Sequence, residues 1–252
     1  MATIDINSDL GEFAERLAED AALMEFISSA NIACGGHAGD EESMRAMVRA
    51  AVSRGVAVGA HPGYPDRVGF GRVRMQMEAE RIEKSVEEQV RALDRIARAE
   101  GTRLVHVKPH GALYHAAMND QNVAAAVAMG VGRIGRELIL VGQYGARALS
   151  WWEQWGFAVA AEGFADRGYE ADGTLTARGK PGALITDPAR AAERAVGIAI
   201  EGKMEASGGG VIAVKADTIC VHSDTPGSLE VAKAMRKGLE GAGVRVRALG
   251  RG

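Results

Sequence analysis

The sequence has only two cysteines, Cys34 and Cys220, in 252 residues. Two cysteines are too few for a disulfide framework, which excludes the class of small disulfide-stabilised secreted domains. No run of about 20 apolar residues is present, so no membrane span is expected. The first residues, MATIDINSDLGE, are acidic where a signal peptide is basic and then apolar. A cytoplasmic location is therefore expected.

The sequence also lacks an excess of positive charge. Its formal net charge is −3, which argues against nucleic acid as the main partner. Hydrophobic residues make up 47% of the chain, enough for a sizeable core. The length matches a single (β/α) barrel domain spanning residues 1–252.

Short apolar runs alternate with longer amphipathic ones about seven times. Strand, helix and strand in repetition imply a parallel sheet with crossover helices. Polar residues follow many of the strands, which favours closure into a barrel over an open sheet with one switch point. The candidate strands are Thr3–Ser8, Ser29–Cys34, Val56–His61, Leu104–Lys108, Leu138–Val141, Ala158–Glu162 and Val211–Val221.

Helical periodicity occupies the intervening segments, for example at Ile82, Val86, Val90 and Leu93. The segment Asp166–Asp187 breaks the alternation and is predicted to form a hairpin arm or lid. The last apolar run, Val244–Leu249, is either an eighth strand or a tail. Further helices are predicted over Asn122–Ile134, Ala146–Trp155, Pro188–Met204 and Ser228–Gly241.

The segment HVKPHGALYH places several ionisable residues at the end of the fourth strand. His106, Lys108 and His110 share one face of an extended chain. In such barrels, ligands bind at the carboxyl ends of the strands. Lys108 is suited to pair with Asp9, to polarise a carbonyl or to hold a phosphate. His110 is a candidate acid or base, whereas His106 lies deeper and is interpreted as structural.

The first strand carries a second polar set, in which Asp5, Asn7 and Asp9 share a face. Buried carboxylates need partners or a ligand because an isolated charge is costly to desolvate. The two interpretations are a functional site and a structural network with Lys108 across the barrel. Glu12 is a weaker candidate, since at a helix start it can simply face solvent.

The ends of the second and third strands add Asn31, His37 and His61. His37 lies in a glycine-rich loop and is interpreted as functional. His61 at a strand tip is suited to shuttle a proton or bind a metal, and the alternative is a satisfied core histidine. Asp40 is either a ligand or the N-cap of the next helix. Cys34 is interpreted as a small buried apolar residue.

The sixth strand ends in a cluster of Glu162, Asp166 and Arg167. Glu162 is the sharper candidate because an Asp–Arg neighbour pair is often only a surface ion pair. The last strand brings His222 and Asp224 to its carboxyl end.

Six segments together resemble the LamB/YcsF family of 5-oxoprolinase A subunits, nearly end to end and in the family order. Gly36 and Ser223 depart from the family pattern, which usually has an aromatic residue and a glycine there. The segments are DINSDLGE, SANIACGGHAGD, GAHPGYPDRVGFGR, HVKPHGALYH, EGFADRGY and ADTICVHSDTP.

The resemblance implies an irregular seven-stranded (β/α) barrel of the glycoside hydrolase/deacetylase type. It also implies ATP-dependent opening of 5-oxo-L-proline to L-glutamate together with partner subunits B and C. No nucleotide motif is visible, because GIAIEGK (Gly197–Lys203) has Met204 where a phosphate loop needs Ser or Thr. ATP with Mg²⁺ is therefore expected to bind mainly to the partners, the alternative being that this barrel binds ATP in an unfamiliar way. No firm metal site is expected here.

The reaction needs a general base, a cation for developing charge and a proton donor. Our hypothesis is that Asp9 or His61 activates water, Lys108 holds the phosphoryl group or oxyanion, and His110 supplies the proton. The predicted substrate-binding residues, with Arg167 for the substrate carboxylate, are Asn7, Asn31, His37, Glu162, Asp166 and Arg167.

Two alternatives stay open at this point. One is a divalent-metal amidohydrolase or carbohydrate deacetylase with Asp9, His61 and His110 as ligands. The other is a non-catalytic protein that scaffolds its partners. The density of ionisable residues at strand ends argues against this second alternative.

Overall fold

A closed barrel of parallel strands organises the chain in the computed structural model, which describes residues 1–177 and 179–250. Seven strands close the barrel in the order β1-β2-β3-β4-β5-β6-β9, since β9 pairs with both β6 and β1. The predicted seven-stranded barrel is confirmed. The strands are β1 (Thr3–Leu10), β2 (Ser29–Ala33), β3 (Ala57–His61), β4 (Leu104–Val107), β5 (Ile139–Gln143), β6 (Val159–Phe164), β7 (Lys203–Glu205), β8 (Val211–Ala213), β9 (Thr218–Val221) and β10 (Arg245–Val246).

Helices cover the barrel, and their apolar faces pack against its outer surface. In the longest helix, Ile82, Val86, Val90 and Leu93 are buried at the predicted spacing. Among the described residues, no helix has the length and apolar character to cross a bilayer. The helices are α1 (Leu17–Leu23), α2 (Glu41–Arg54), α3 (Ala79–Ala99), α4 (Gly111–Asn119), α5 (Gln121–Gly132), α6 (Arg147–Gln154), α7 (Pro188–Val196) and α8 (Ser228–Gly241).

The region after α7 differs from the prediction. The predicted helix Pro188–Met204 ends early, because the chain continues as one π turn and then leaves the helix at Gly202 with φ +62°. The predicted strand Val211–Val221 is two strands. Its first part, β8, pairs antiparallel with β7 outside the barrel, and only β9 enters the barrel wall.

The last apolar run forms β10, which pairs with Thr3 and Ile4 of β1. β9 pairs with Asp5 to Ser8 of the same strand, so β10 extends the edge of β1 beyond the closed ring. The described residues of the 166–187 segment fold back through two antiparallel bridges, Arg167 with Leu184 and Tyr169 with Leu175.

The barrel lumen is polar, in contrast to the apolar layer outside it. Near its amino-terminal end, the Asp5 carboxylate accepts hydrogen bonds from the hydroxyls of Ser28, Ser29 and Thr218. Burial nevertheless raises the pKa of Asp5 from its ordinary 3.8 to about 6, because desolvation of the charged form outweighs these hydrogen bonds.

This pKa shift predicts how the stability depends on pH. A carboxyl pKa that is higher in the folded state gives stability that is complete below pH 3.8 and is lost as the pH rises through about 6. Relative to Asp5→Asn, wild-type protein should lose about 2 kcal/mol of unfolding free energy between pH 4.5 and pH 8. Denaturant unfolding of both proteins at the two pH values measures this difference. A pH-independent difference would contradict the assignment.

Candidate active site

A pocket opens at the carboxyl ends of the barrel strands, where ligands bind in this architecture. Its volume is about 320 Å³, near the lower end of the range of small-molecule sites. All four predicted catalytic residues, Asp9, His61, Lys108 and His110, line it. Strands that are far apart in the sequence therefore bring these side chains to one place. The other polar lining residues are Glu12, Arg72, Tyr114, His115, Arg167, Thr176, His222, Ser223 and Asp224.

Lys108 lies at the floor of the pocket between two carboxylates. Its Nζ is 2.7 Å from Glu162 Oε1 and 3.1 Å from Asp9 Oδ1, and it donates to Asn7 Oδ1 at 3.2 Å. Burial by itself lowers the pKa of Lys108, but Asp9 and Glu162 raise it and leave it well above its usual range. The ammonium group is therefore a fixed positive charge.

Glu162 is held on its other side by Tyr114, whose hydroxyl donates to Oε2 at 2.8 Å. Tyr114 reaches this position because α4 begins directly after His110, at Gly111 with φ +52°. A side chain at Gly111 would also press against the backbone carbonyl of Gly71. Glu162 lies at a strand end, as predicted. Its pairing with Lys108, however, was not indicated by the spacing of residues in the sequence.

Asp9 joins the lysine to the histidines. Its Oδ2 is 3.3 Å from His61 Nε2, and its Oδ1 accepts from Asn31 Nδ2 at 2.8 Å. Burial raises the pKa of Asp9, but the positive charges of His61 and Lys108 overcome that effect and hold it well below its usual range. Asp9 is therefore a carboxylate that can accept a proton only transiently.

Three histidines form a cluster beside Asp9. His61 Nε2 is 3.1 Å from His110 Nδ1, and the rings of His37 and His110 stack with centroids 3.6 Å apart. His61 Nδ1 donates to the Lys108 carbonyl at 2.7 Å. Burial raises the cost of charging His37 and lowers its pKa to about 4.

The cluster closes around Glu12, a weaker candidate in the sequence because a residue at a helix start can simply face solvent. The solvent-facing alternative is wrong, because Gly11 with φ +74° turns the chain inward after β1 and its N–H donates to Asp20. Glu12 Oε1 lies 3.1 Å from His37 Nε2 and 3.2 Å from His110 Nδ1. The adjacent glycine in DINSDLGE was the available signal.

Four predicted substrate-binding residues contact the lining side chains from behind the pocket wall. Asn7 and Asn31 bond to Lys108 and Asp9, and His37 stacks on His110. Asp166 Oδ2 accepts from His222 Nδ1 at 2.8 Å. Direct substrate contact by these four residues, which are Asn7, Asn31, His37 and Asp166, stays a prediction.

Arg167 lines the pocket, and its guanidinium also holds the folded-back 166–187 segment. Its Nε and Nη2 donate to the carbonyls of Ala183 and Thr176. Asp40 caps α2, as one of its two interpretations stated. His106 is fully buried and donates through Nε2 to Asn31 Oδ1, in line with a structural role.

Comparison with known proteins identifies the family of the chain. The sequence profile of the LamB/YcsF family matches residues 4–251. The chain belongs to the LamB/YcsF family. A protein of Methylococcus capsulatus, named as the A subunit of 5-oxoprolinase, is 50% identical over 250 residues, which cover 98% of this chain and 96% of that protein. A protein of the same name from Chloroflexus aggregans is 50% identical over 249 residues, with 98% and 99% covered.

A solved structure extends the likeness to three dimensions. The crystal structure of the lactam utilization protein from Thermus thermophilus matches with a TM-score of 0.91 at 43% identity. The match covers 98% of this chain and 100% of that one. The resemblance stated from the sequence is therefore confirmed as family membership and as fold.

The two departures from the family pattern have local explanations here. A side chain at Gly36 would collide with Gln89, whose amide bridges the backbone N–H and carbonyl of Gly63. Gln89 thus fills the space next to this loop. Ser223 Oγ donates to the Asp9 carbonyl at 2.7 Å and ties the β9 loop to β1.

The ion pairs of buried Lys108 with Asp9 and Glu162 predict that removal of the lysine charge strongly lowers the stability. Lys108→Met leaves Asp9 and Glu162 buried without their cation, so it should lower the unfolding free energy by about 3–5 kcal/mol. Adding Glu162→Gln to Lys108→Met should cost less than Glu162→Gln alone, with a coupling of about 0.5–3 kcal/mol. Denaturant unfolding of the four proteins of this cycle measures both values.

Lys84→Met is the matched control, because Lys84 forms an exposed pair with Glu88 at 3.9 Å. Its loss should cost at most about 0.5 kcal/mol. Equal losses for Lys108→Met and Lys84→Met would contradict the assigned role of the buried pair.

Proposed function

We propose that this chain is the A subunit of an ATP-dependent 5-oxoprolinase, which acts with partner subunits B and C to open the lactam of 5-oxo-L-proline to L-glutamate. A cytoplasmic location is part of the proposal. The convergence of Asp9, His61, Lys108 and His110 in one strand-end pocket carries it. The names of the Methylococcus and Chloroflexus relatives and of the Thermus structure support it.

The chemistry of the lactam defines what the pocket must supply. A lactam is a stable amide, and phosphorylation of its carbonyl oxygen makes the carbon open to attack by water. ATP transfers its γ-phosphoryl group to that oxygen and leaves as ADP. One water then opens the ring to an acyl phosphate, and a second water releases phosphate to leave L-glutamate. The pocket needs a base for the attacking water, a cation for charge on the oxygen, and a proton for the departing nitrogen.

Asp9 and His61 form the base in this proposal. His61 is oriented by its Nδ1–H bond to the Lys108 carbonyl, so that Nε2 faces Asp9 and the pocket. A water beside this pair is activated by proton transfer to the Asp9 carboxylate, or to His61 Nε2 when that ring is neutral. Lys108 holds the oxyanion or phosphoryl group, because its charge is fixed by Asp9 and Glu162. His110, next to His61, supplies the proton to the ring nitrogen.

Substrate recognition follows from the charge of 5-oxoproline. Its carboxylate needs a cationic partner, and Arg167 lines the pocket from the folded-back arm. We propose that this arm, residues 166–187 of the single barrel domain, covers the bound substrate as a lid, since Leu175, Thr176 and Ala177 also line the pocket. Asn7, Asn31, His37, Glu162 and Asp166 position the lining residues from behind.

The basic groups of the pocket are already engaged, which bears on where ATP binds. Lys108 pairs with two carboxylates, and Arg72 Nη2 is 2.6 Å from Asp224 Oδ2. A triphosphate would have to displace these carboxylates. We therefore propose that ATP with Mg²⁺ binds chiefly to the partner subunits. Isothermal titration with MgATP should give saturable heat with the complete complex and none with this chain alone, and saturable heat with this chain alone would contradict the proposal.

Reconstitution tests the proposed activity. This chain, mixed with subunits B and C, should release glutamate from 5-oxo-L-proline only when ATP is present, with ADP formed in step. Omission of this chain should abolish glutamate release. Glutamate release by this chain alone without ATP, or none from the complete mixture, would refute the proposal.

The role of Asp9 predicts the effect of one isosteric change. Asp9→Asn keeps the acceptor for Asn31 but removes the base, so it should lower kcat of the reconstituted complex by about 10²- to 10⁴-fold. Asp94→Asn is the control, because Asp94 pairs with Arg98 on α3, away from the pocket. Full activity of Asp9→Asn with an intact fold would remove Asp9 from the mechanism.

A further inference from the structure

When the rings of His61 and His110 are neutral, one nitrogen of each faces the other at the pocket with no hydrogen between them. His61 Nδ1 is 2.7 Å from the Lys108 carbonyl and His110 Nε2 is 2.9 Å from the Phe70 carbonyl. A backbone carbonyl only accepts hydrogen bonds, so each of these nitrogens carries the hydrogen of its ring. In the neutral rings, His61 Nε2 and His110 Nδ1 are therefore both lone pairs, and they lie 3.1 Å apart.

The same point is surrounded by negative charge. Glu12 Oε1 is 3.2 Å from His110 Nδ1 and 3.9 Å from His61 Nε2. In the adjoining network, Asp9 and Glu162 share the single cation Lys108. Even when His61 is charged, three carboxylates face two cations, Lys108 and His61, and leave one negative charge without a compensating cation among these groups. Buried charge of this size needs a counter-charge.

We propose that Glu12 Oε1, His61 Nε2 and His110 Nδ1 bind a divalent transition-metal ion of the Zn²⁺ class. The three residues belong, with His37, to a group in which one candidate ligand atom from each residue lies within 4.8 Å of all the others. Ligands at about 2.0–2.1 Å around a tetrahedral ion lie ~3.3 Å apart, close to the spacing found here. Two imidazoles and one carboxylate favour such an ion over Mg²⁺ or Ca²⁺, which prefer oxygen ligands.

The backbone carbonyls act as the outer support of this site. A metal-bound histidine normally donates its other N–H to a carbonyl or carboxylate, which fixes its tautomer and ring orientation. Both His61 and His110 already have this arrangement. In the neutral rings, the two lone pairs are thus aimed at one point.

His37 supports the site and is not a ligand. Its ring is parallel to the His110 ring, with centroids 3.6 Å apart and an interplanar angle of 5°. A metal ion lies in the plane of an imidazole that binds it, so one ion cannot lie in two planes stacked in this way. His37 instead donates from Nε2 to Glu12 Oε1 at 3.1 Å and holds the carboxylate in place.

The bound ion would face the pocket, because Glu12, His61 and His110 all line it. Three protein ligands leave a coordination position open to water or to a substrate oxygen. Asp9 is close to the proposed ligands, since its Oδ2 is 3.3 Å from His61 Nε2. With the ion bound, His61 Nε2 and His110 Nδ1 are ligands and transfer no proton, so the ion and Asp9 would activate the water in their place. This catalytic use of the ion rests on the proposed function, whereas its binding does not.

The test is metal binding by the full chain without an affinity tag. Protein stripped with a chelator and titrated with ZnCl₂ in a calorimeter should bind one equivalent. Co²⁺ should give visible absorption bands of a nitrogen and oxygen site. Glu12→Gln and His110→Ala should each weaken Zn²⁺ binding by about 10- to 100-fold or more, and His37→Ala by about 10-fold. Circular dichroism confirms that each variant is folded.

His222→Ala is the matched control, since His222 is a pocket histidine that bonds to Asp166 and lies outside the proposed ligand set. Its Zn²⁺ affinity should equal that of wild type. Absence of heat and of Co²⁺ bands, or binding that is unchanged in Glu12→Gln and His110→Ala, would overturn the proposal. Neither the partner proteins, ATP nor 5-oxoproline enter this experiment, so its failure is distinct from failure of the proposed function.

Discussion

The site depends on one buried ammonium group. Lys108 follows β4, and its Nζ lies within 3.1 Å of Asp9 on β1 and of Glu162 on β6. It therefore connects the β4 side of the barrel to the β1 and β6 side at the carboxyl ends of the strands. Without this cation, two carboxylates would be buried among apolar strands at a cost of several kcal/mol. The barrel can keep a polar lumen because each charged group in it has a partner of opposite sign or a hydrogen-bond donor.

The same residue also orders the histidines through its backbone. The Lys108 carbonyl accepts from His61 Nδ1, while its side chain fixes Asp9 against His61 Nε2. One residue thus sets both the tautomer of His61 and the ionisation of its neighbour. Pro109 follows Lys108 and keeps the Lys108 backbone extended. The carbonyl and the side chain of Lys108 therefore contact different parts of the pocket.

Much of this arrangement follows from sequence pattern, with specific exceptions. Alternation on β1 placed Asp5, Asn7 and Asp9 on one face, and they all point into the lumen network. The helix period of α3 predicted its buried face. Predicted element boundaries were wrong where a glycine overrides helix propensity. At Gly202 the chain leaves the predicted helix, and β7 begins at the next residue. The solvent-facing alternative for Glu12 was wrong because a single residue in the left-handed region, Gly11, decides which way the Glu12 side chain points.

By itself, the sequence determined that strands and helices alternate, and that ionisable residues gather at strand ends, because residue spacing sets which side chains share a face. Only the tertiary structure decided which of those residues meet. The pairing of Lys108 with Glu162 and of His61 with His110 joins elements about 50 residues apart, and it depends on barrel closure and register. The stack of His37 on His110 likewise exists only because the loops after β2 and β4 meet at the pocket. No local pattern encodes such distances, since they arise from the packing of the whole barrel.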